Sequence, residues 1–154
     1  MKFIELARRI LEYKFIWVGA NPLYMSPFEI KKALKTNLPN LFFPGYVKPQ
    51  VLRGAYSGAD LFVFPTKEET EGIPILESFT SKINTIFSDI PVFEWAKKNE
   101  DVYKTKNIDE FEKYIKAILE GKIPSLVDNT YKKVNSKDIK RVGRQLVSIY
   151  KNIW

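Results

Sequence analysis

The sequence predicts an α/β fold, a parallel sheet with helices on both faces, and two observations carry that prediction. The apolar runs "FIWVGA" (15–20), "NLFFPGYV" (40–47), "DLFVFP" (60–65) and "NTIFS" (84–88) are short and continuous rather than alternating. Strands of a parallel sheet, buried on both faces, read in that way. Between the runs lie segments whose apolar residues recur at helical spacing, and regular strand–helix alternation is the signature of crossover units.

Phe3, Leu6, Ile10 and Tyr13 share one helical face, so a helix over 2–14 feeds directly into the strand at 15–20. In Ser26-Pro27-Phe28-Glu29, Ser26 can cap, Pro27 can take the first helical position and Glu29 can close a capping box. That helix runs to about residue 36. The second strand leaves through Pro44-Gly45-Tyr46, and "PQVLRGAYSGA" makes a short helix interrupted by glycine before the third strand. "PILESFTSK" is helical from Pro74, "NTIFS" is a strand, and "VFEWAKK" leads to a helix at 108–120 that starts near Asn107 and stops at Gly121. The polar, basic "KIPSLVDNTYKKVN" reads as a connector. Behind a Ser136 cap, Ile139, Val142, Leu146, Ile149 and Ile153 form one stripe of a closing amphipathic helix.

The 154 residues suit one folded domain, and 45% apolar with 28% charged residues is ordinary globular usage. Cysteine is absent, which excludes disulfides, thiolate zinc sites and thiol nucleophiles. Histidine is absent as well, removing the commonest general base and metal ligand, so acid–base work would fall to carboxylates, Lys or Tyr. No apolar stretch approaches the roughly 20 residues that span a bilayer, and no signal core follows the N-terminus. A cytosolic chain is the expectation. A net charge of +7 suits an anionic partner or simply a solvated basic surface. Nucleic acid is not expected as that partner, since the lysines are dispersed without an interleaved aromatic reading surface.

Ligands of open parallel sheets bind beyond the carboxyl ends of the strands. Three such ends are Gly19-Ala20-Asn21, Gly45-Tyr46-Val47 and Thr66-Lys67-Glu68-Glu69. The third is the richest: "TKEETEGIPILESF" (66–79) carries four glutamates from a strand end into a helix opening near Pro74. Free N–H groups and the positive helix end there suit an anion such as a diphosphate, and Gly72 allows close backbone approach. Glu77, one turn into the helix, leans back toward the same rim, where its carboxylate can accept from two neighbouring sugar hydroxyls. The same carboxylates also fit a solvated loop favoured by the helix dipole, and both readings stand on the residues alone.

Glu69-Thr70-Glu71-Gly72-Ile73-Pro74-Ile75-Leu76-Glu77, after "GADLFVFPT" and before "SDIPVFEWA", resembles the Glu-x7-Glu segment of family-4 retaining glycosyltransferases of the GT-B fold. The likeness runs from the first helix through "FIWVG", "FFPGYV" and "AYSGADLFVFP" to "VGRQLVSIYK". It is most similar to the donor-binding, C-terminal half of such enzymes, in particular bacterial members resembling diacylglycerol glucosyltransferases. The resemblance implies a Rossmann-like domain, a UDP-sugar donor and hexose transfer to a lipid or glycan with retained configuration, without cofactor or protein-held metal. It implies Glu69 beside the donor sugar as the catalytic carboxylate and Glu77 on the ribose hydroxyls. Thr70, Glu71, Gly72, Ile73 and Pro74 would line sugar and diphosphate, Tyr46 and Val47 would flank the base, and Gly19 would keep space open.

The sequence departs from that family at several points. Thr70-Glu71-Gly72 replaces a Gly-aromatic-Gly run, and Ser81-Lys82-Ile83-Asn84-Thr85 replaces a small-residue turn with Gly-x-Pro. The Arg and Lys that serve the diphosphate in the family precede the helix that opens this chain. The expected organisation is therefore one nucleotide-sugar-binding domain over 1–154, with the first strand and the N-terminal acceptor domain supplied elsewhere or by a partner chain. Arg8, Arg9 and Lys67 are candidate substitutes, although Arg8 and Arg9 also fit a solvated helix face. The alternative reading is a non-catalytic binding or regulatory module acting with a partner chain. "KKVNSKDIKR" is a candidate for peripheral contact with the inner face of a membrane.

Overall fold

The computed structural model describes residues 1–19, 26–135 and 139–153. In chain order it contains α1 (Lys2–Arg9), β1 (Phe15–Val18), α2 (Phe28–Leu34), β2 (Leu41–Gly45), α3 (Pro49–Gly58), β3 (Leu61–Phe64) and α4 (Ile73–Thr80). These are followed by β4 (Asn84–Ser88), a 3-10 turn (Pro91–Phe93), β5 (Tyr103–Thr105), α5 (Ile108–Leu119), α6 (Val127–Asn135) and α7 (Ile139–Ile153). Every strand pairing is parallel, as the continuous apolar runs predict.

Side chains on the three-stranded part alternate between two cores. Leu61, Val63, Ile86 and Tyr103 point to one core with α1 and α5, where Leu6 and Ala7 of the first helix and Ile10 just after it are wholly buried. Phe62, Phe64, Phe87 and Val102 point to the other, with α4, the 3-10 turn and Val134 of α6. Phe15, Leu41 and Phe43 continue the first core under β1 and β2, joined by Ala33 of α2. Helix α3 lies on the second face, where Tyr56 meets Phe62 with ring centroids 5.5 Å apart. On the three-stranded part, packing on both faces is thus the reason for the unbroken apolar strands, whereas on β1 and β2 Ile16 and Phe42 are exposed.

The sheet is divided. Among the described residues β1 pairs only with β2, and β3, β4 and β5 form a separate ladder in that order. The register runs Phe15↔Leu41 and Ile16↔Phe42 in the first part, and Leu61↔Asn84 to Phe64↔Phe87 in the second. Sequence periodicity predicts one continuous sheet, because it reports which residues face a core and nothing about which edges bond.

Other expectations need correction. The first helix stops at Arg9 rather than 14. Asn40 explains why the chain turns there: its Nδ2 donates to the carbonyls of Ala7 (2.9 Å), Ile10 (3.1 Å) and Tyr13 (3.0 Å), while its backbone carbonyl accepts from Phe15 N (2.7 Å). A residue 30 positions downstream of the C-cap Ile10 terminates the helix and starts the strand. Asn40→Ala is expected to cost about 1–3 kcal/mol, since it strands buried carbonyls, read as a lowered urea midpoint at unchanged slope.

The capping box at Ser26 does not form: Pro27 occupies the cap position and no side chain caps α2. The segment read as a connector contains α6, whose Thr130 and Val134 are buried. Its apolar positions are few, so helical spacing is faint. β5 escaped notice for a similar reason, being three residues, "YKT", with a buried lysine at its centre. By contrast, Asn107 caps α5 as predicted, accepting from Glu110 N at 2.9 Å, and the helix ends before Gly121. The proposed cap at Ser136 lies outside the described residues. The stripe of α7 forms, and Ile139, Val142, Leu146, Ile149 and Ile153 along it are all exposed.

Candidate functional site

The glutamate-rich stretch follows β3 as predicted. Thr66 Oγ1 donates to the Glu68 carbonyl at 2.6 Å, closing a tight local turn just after the strand. Glu69 is half-buried, and its Oε1 accepts from the Thr70 amide (2.8 Å) and from Thr70 Oγ1 (3.4 Å). Thr70 and Glu71 are exposed, so the loop presents its acidic and hydroxyl groups outward.

Gly72 turns the loop into α4. Its φ of +72° lies in the left-handed region, and a Cβ built there would sit 2.6 Å from a ring carbon of Phe93. The Gly72 carbonyl accepts the first helical bond from Ile75 N at 2.8 Å. α4 begins at Ile73, one residue before the predicted Pro74, and no side chain caps it. Ile73 is exposed and Pro74 half-buried. Beneath the turn, Phe93 is fully buried and its carbonyl accepts from Lys104 Nζ at 2.7 Å. Burial pushes the Lys104 ammonium below its ordinary pKa, against the pull of nearby Asp89. A buried lysine, a phenylalanine and a glycine thus fix the entry to α4.

Glu77, in the second turn of α4, has a partner that sequence reasoning missed. Tyr56 Oη of α3 donates to Glu77 Oε2 at 2.9 Å and lies 3.4 Å from the Pro74 carbonyl. Burial, and then the adjacent carboxylate, raise the Tyr56 phenol well above its usual pKa, so it remains a donor. This bond sets one oxygen of Glu77 and leaves the carboxylate on an exposed face. The signal in the sequence was only "AYSGAD", where a tyrosine precedes a strand without any periodic reason to meet α4.

The other predicted positions lie at the ends of β1 and β2. Gly19 N donates to the Gly45 carbonyl at 2.9 Å, joining the two strand ends beyond their ladder. Tyr46, just beyond, is 78% exposed, and Val47 is half-buried. Ala20 and Asn21, the rest of that strand end, lie outside the described residues. The structure brings Glu77, Pro74 and Tyr56 into contact, and Gly19 with Gly45, while these two groups sit on the separate parts of the sheet.

Of the candidate cations, Arg9 is committed elsewhere. Its guanidinium pairs with Glu5 and with Asp109 and Glu112 of α5, clamping α1 to α5. Those carboxylates, Asp109 first, raise its pKa further. Lys67 remains exposed in the β3–α4 loop. A shallow cleft of about 300 Å³ lies between α1 and α2, lined by Glu5, Arg8, Glu29 and Lys32 among others, away from Glu69 and Glu77. Among the described residues no cluster of three or more carboxylates is arranged to hold a metal ion.

The sequence profile described as "Glycosyl transferases group 1" matches residues 3–140. The chain belongs to the group 1 glycosyl transferases. It is 38% identical over 152 residues to a processive diacylglycerol alpha-glucosyltransferase of Acholeplasma laidlawii, covering 98% of this chain and 46% of that one. This glycosyl transferase chain therefore spans about half the length of that relative.

Its fold is similar to the C-terminal domain of a glycosyl transferase group 1 family protein of Francisella tularensis, with a TM-score of 0.73, 22% identity and coverage of 88% and 77%. It is also similar to the Anabaena protein HepE in complex with UDP, with a TM-score of 0.78, 15% identity and coverage of 98% and 44%. The Rossmann-like α/β fold of the GT-B glycosyltransferases, expected from the sequence, holds. Among the described residues no helix is long and apolar enough to cross a membrane.

Proposed function

We propose that this chain is the donor-binding part of a retaining glycosyltransferase that moves a hexose from UDP to a lipid or glycan acceptor. The observation that carries the proposal is the Tyr56–Glu77 hydrogen bond beside the uncapped start of α4. A phenol held protonated fixes the carboxylate so that its remaining acceptor capacity can meet the two hydroxyls of a ribose. The positive end of α4 would then stabilise the diphosphate as negative charge grows on it. Glu69, in the loop before that end, would lie beside the sugar. Thr70 to Pro74 would line sugar and diphosphate, and Tyr46, Val47 and Gly19 would border the base.

Support for a lipid acceptor comes from the relative named for diacylglycerol glucosylation, and support for UDP from the nucleotide bound to HepE. Acceptor binding falls to a second domain or a partner chain, with peripheral contact at the membrane's inner, cytoplasmic face. Neither a cofactor nor a protein-held metal is needed in this scheme, since the nucleotide-sugar is a substrate.

A second reading, a binding module acting through a partner chain, draws on the engagement of Arg9 by α5. It leaves Lys67 as the basic side chain of the β3–α4 loop. Titration of UDP, UDP-glucose and GDP-mannose, followed by NMR or calorimetry, tests the donor site, and turnover in the assembly separates the two readings.

UDP and UDP-glucose are expected to bind in the millimolar range, and Glu77→Ala to weaken them about tenfold or more, the scale of charge-assisted hydrogen bonds. Absence of nucleotide binding with an intact fold would count against the donor-site reading. In the protein joined to its acceptor-binding part, Glu69→Ala is expected to reduce turnover more than nucleotide affinity. Binding without turnover in that assembly would favour the second reading.

A further inference from the structure

Lys104 stands where the core has no use for a charge. It is the central residue of β5, 4% exposed, and its register partner on β4 is Phe87. The core on that face is made of Phe87, Phe93, Val102 and their aromatic neighbours. An ammonium taken out of water there is costly unless it is bound, and an apolar side chain of the same length would fill the space without that cost. Its task therefore lies in what the ammonium holds.

Lys104 Nζ donates to the Phe93 carbonyl at 2.7 Å, whereas Asp89 Oδ1 stands 3.9 Å away, beyond hydrogen-bond reach. Asp89 is also shared, with its other oxygen 3.8 Å from Lys98 Nζ. The short contact of Lys104 is thus to a backbone carbonyl and not to its counter-ion.

That carbonyl lies at the exit of the 3-10 turn, Pro91–Phe93. The entry is fastened as well, because Asp89 N donates to the Thr105 carbonyl at 2.7 Å. Two successive residues of β5 therefore grip both ends of the turn. Between these grips the Phe93 ring packs on Phe87 and lies so close to Gly72 that a Cβ there would stand 2.6 Å from it. Gly72 in turn opens α4, its carbonyl accepting from Ile75 N. One series of contacts runs from the Lys104 ammonium, through the Phe93 carbonyl and ring, to the first turn of α4. The Phe93 carbonyl also accepts from Ala96 N at 3.1 Å, but that bond closes the turn on itself and does not tie it to the sheet.

A helix end binds an anion through the direction of its free N–H groups, so a small displacement of the first turn matters more to a bound diphosphate than to the fold. We infer that Lys104 is a positioning residue for the diphosphate of the nucleotide, anchoring the Phe93 turn to β5 and so fixing the seat on which Gly72 and the start of α4 rest. The inference rests on the proposed donor site at that helix end, and it adds a residue two strands away from the loop that would touch the ligand.

Lys104→Met tests it, since methionine keeps the length of the side chain and removes the ammonium. Urea unfolding, amide exchange and the affinities for UDP and UMP are read on the same full-length chain. The unfolding midpoint is expected to stay or rise, because an apolar side chain replaces a buried charge while Asp89 keeps Lys98 as its partner. The Ile75 amide should exchange about tenfold faster through local opening of the turn. UDP affinity should fall by about threefold or more, the scale of a helix end acting on an anion, with UMP affected less because it lacks the second phosphate. The ratio of UDP to UMP affinity decides: a ratio unchanged from wild type makes Lys104 a purely structural residue and overturns the inference, whatever the midpoint does. Failure of the variant to fold, or an Ile75 amide as protected as before, would overturn it too. If the wild-type chain binds no UDP, the donor-site reading fails and this inference with it. If wild type and Lys104→Met bind UDP equally, this inference alone falls.

Discussion

Gly72→Ala is expected to destabilise the protein by about 2–4 kcal/mol, a sum of left-handed strain and overpacking. Both contributions arise at one atom. At φ +72° any Cβ is unfavourable, and here it would also meet the Phe93 ring at 2.6 Å. The ring cannot retreat easily, because Phe93 is fully buried, packs edge-to-face on Phe87 with centroids 4.8 Å apart, and has its carbonyl held by Lys104. Urea unfolding should show a lowered midpoint at unchanged slope.

A double-mutant cycle divides the loss. Gly72→Ala combined with Phe93→Leu should cost less than the sum of the single changes, since leucine removes the ring carbon that blocks the Cβ. Strict additivity would mean that the strain alone matters and that Phe93 has no part in fixing the turn. Nucleotide affinity should fall together with stability in Gly72→Ala, because the same turn aims the start of α4.

Phe87→Ala should be at least as damaging, about 3–5 kcal/mol, the usual cost of removing a fully buried aromatic ring. Phe87 occupies the middle strand of the three-stranded ladder, paired with Phe64 on one side and Lys104 on the other. Its ring contacts both Phe79 of α4 and Phe93. Deleting it leaves a void under the helix that carries Glu77. Calorimetry should show a large fall in Tm, and the cavity predicts partial rescue by Phe87→Leu. A loss below about 1 kcal/mol would mean that the core beneath α4 collapses freely, contrary to the dense aromatic packing seen there.

The candidate site divides into parts that were legible in the residues and parts that were not. Glu69, Gly72 and Glu77 could be singled out because a strand end, a glycine and a helix start follow one another within a few residues. Each of those signals is local. Tyr56 could not, since its task depends on α3 crossing the sheet and meeting α4, a contact between residues 21 apart. Arg9 was read in sequence as part of a solvated face. It is instead an ion-pair partner of α5, a relation spanning 100 residues.

The fold divides in the same way. Apolar runs and helical spacing determined the class, the order of most elements and the two-sided burial of the strands, because burial imposes period and composition directly on the chain. The early stop of α1 needed Asn40 from another element, and α6 and β5 were too short or too polar to leave a period. Only the tertiary structure decided that, among the described residues, the sheet is split into β1–β2 and β3–β4–β5. Backbone hydrogen bonding between strands is independent of side-chain identity, so a sequence marks a strand as interior without recording which neighbour completes it.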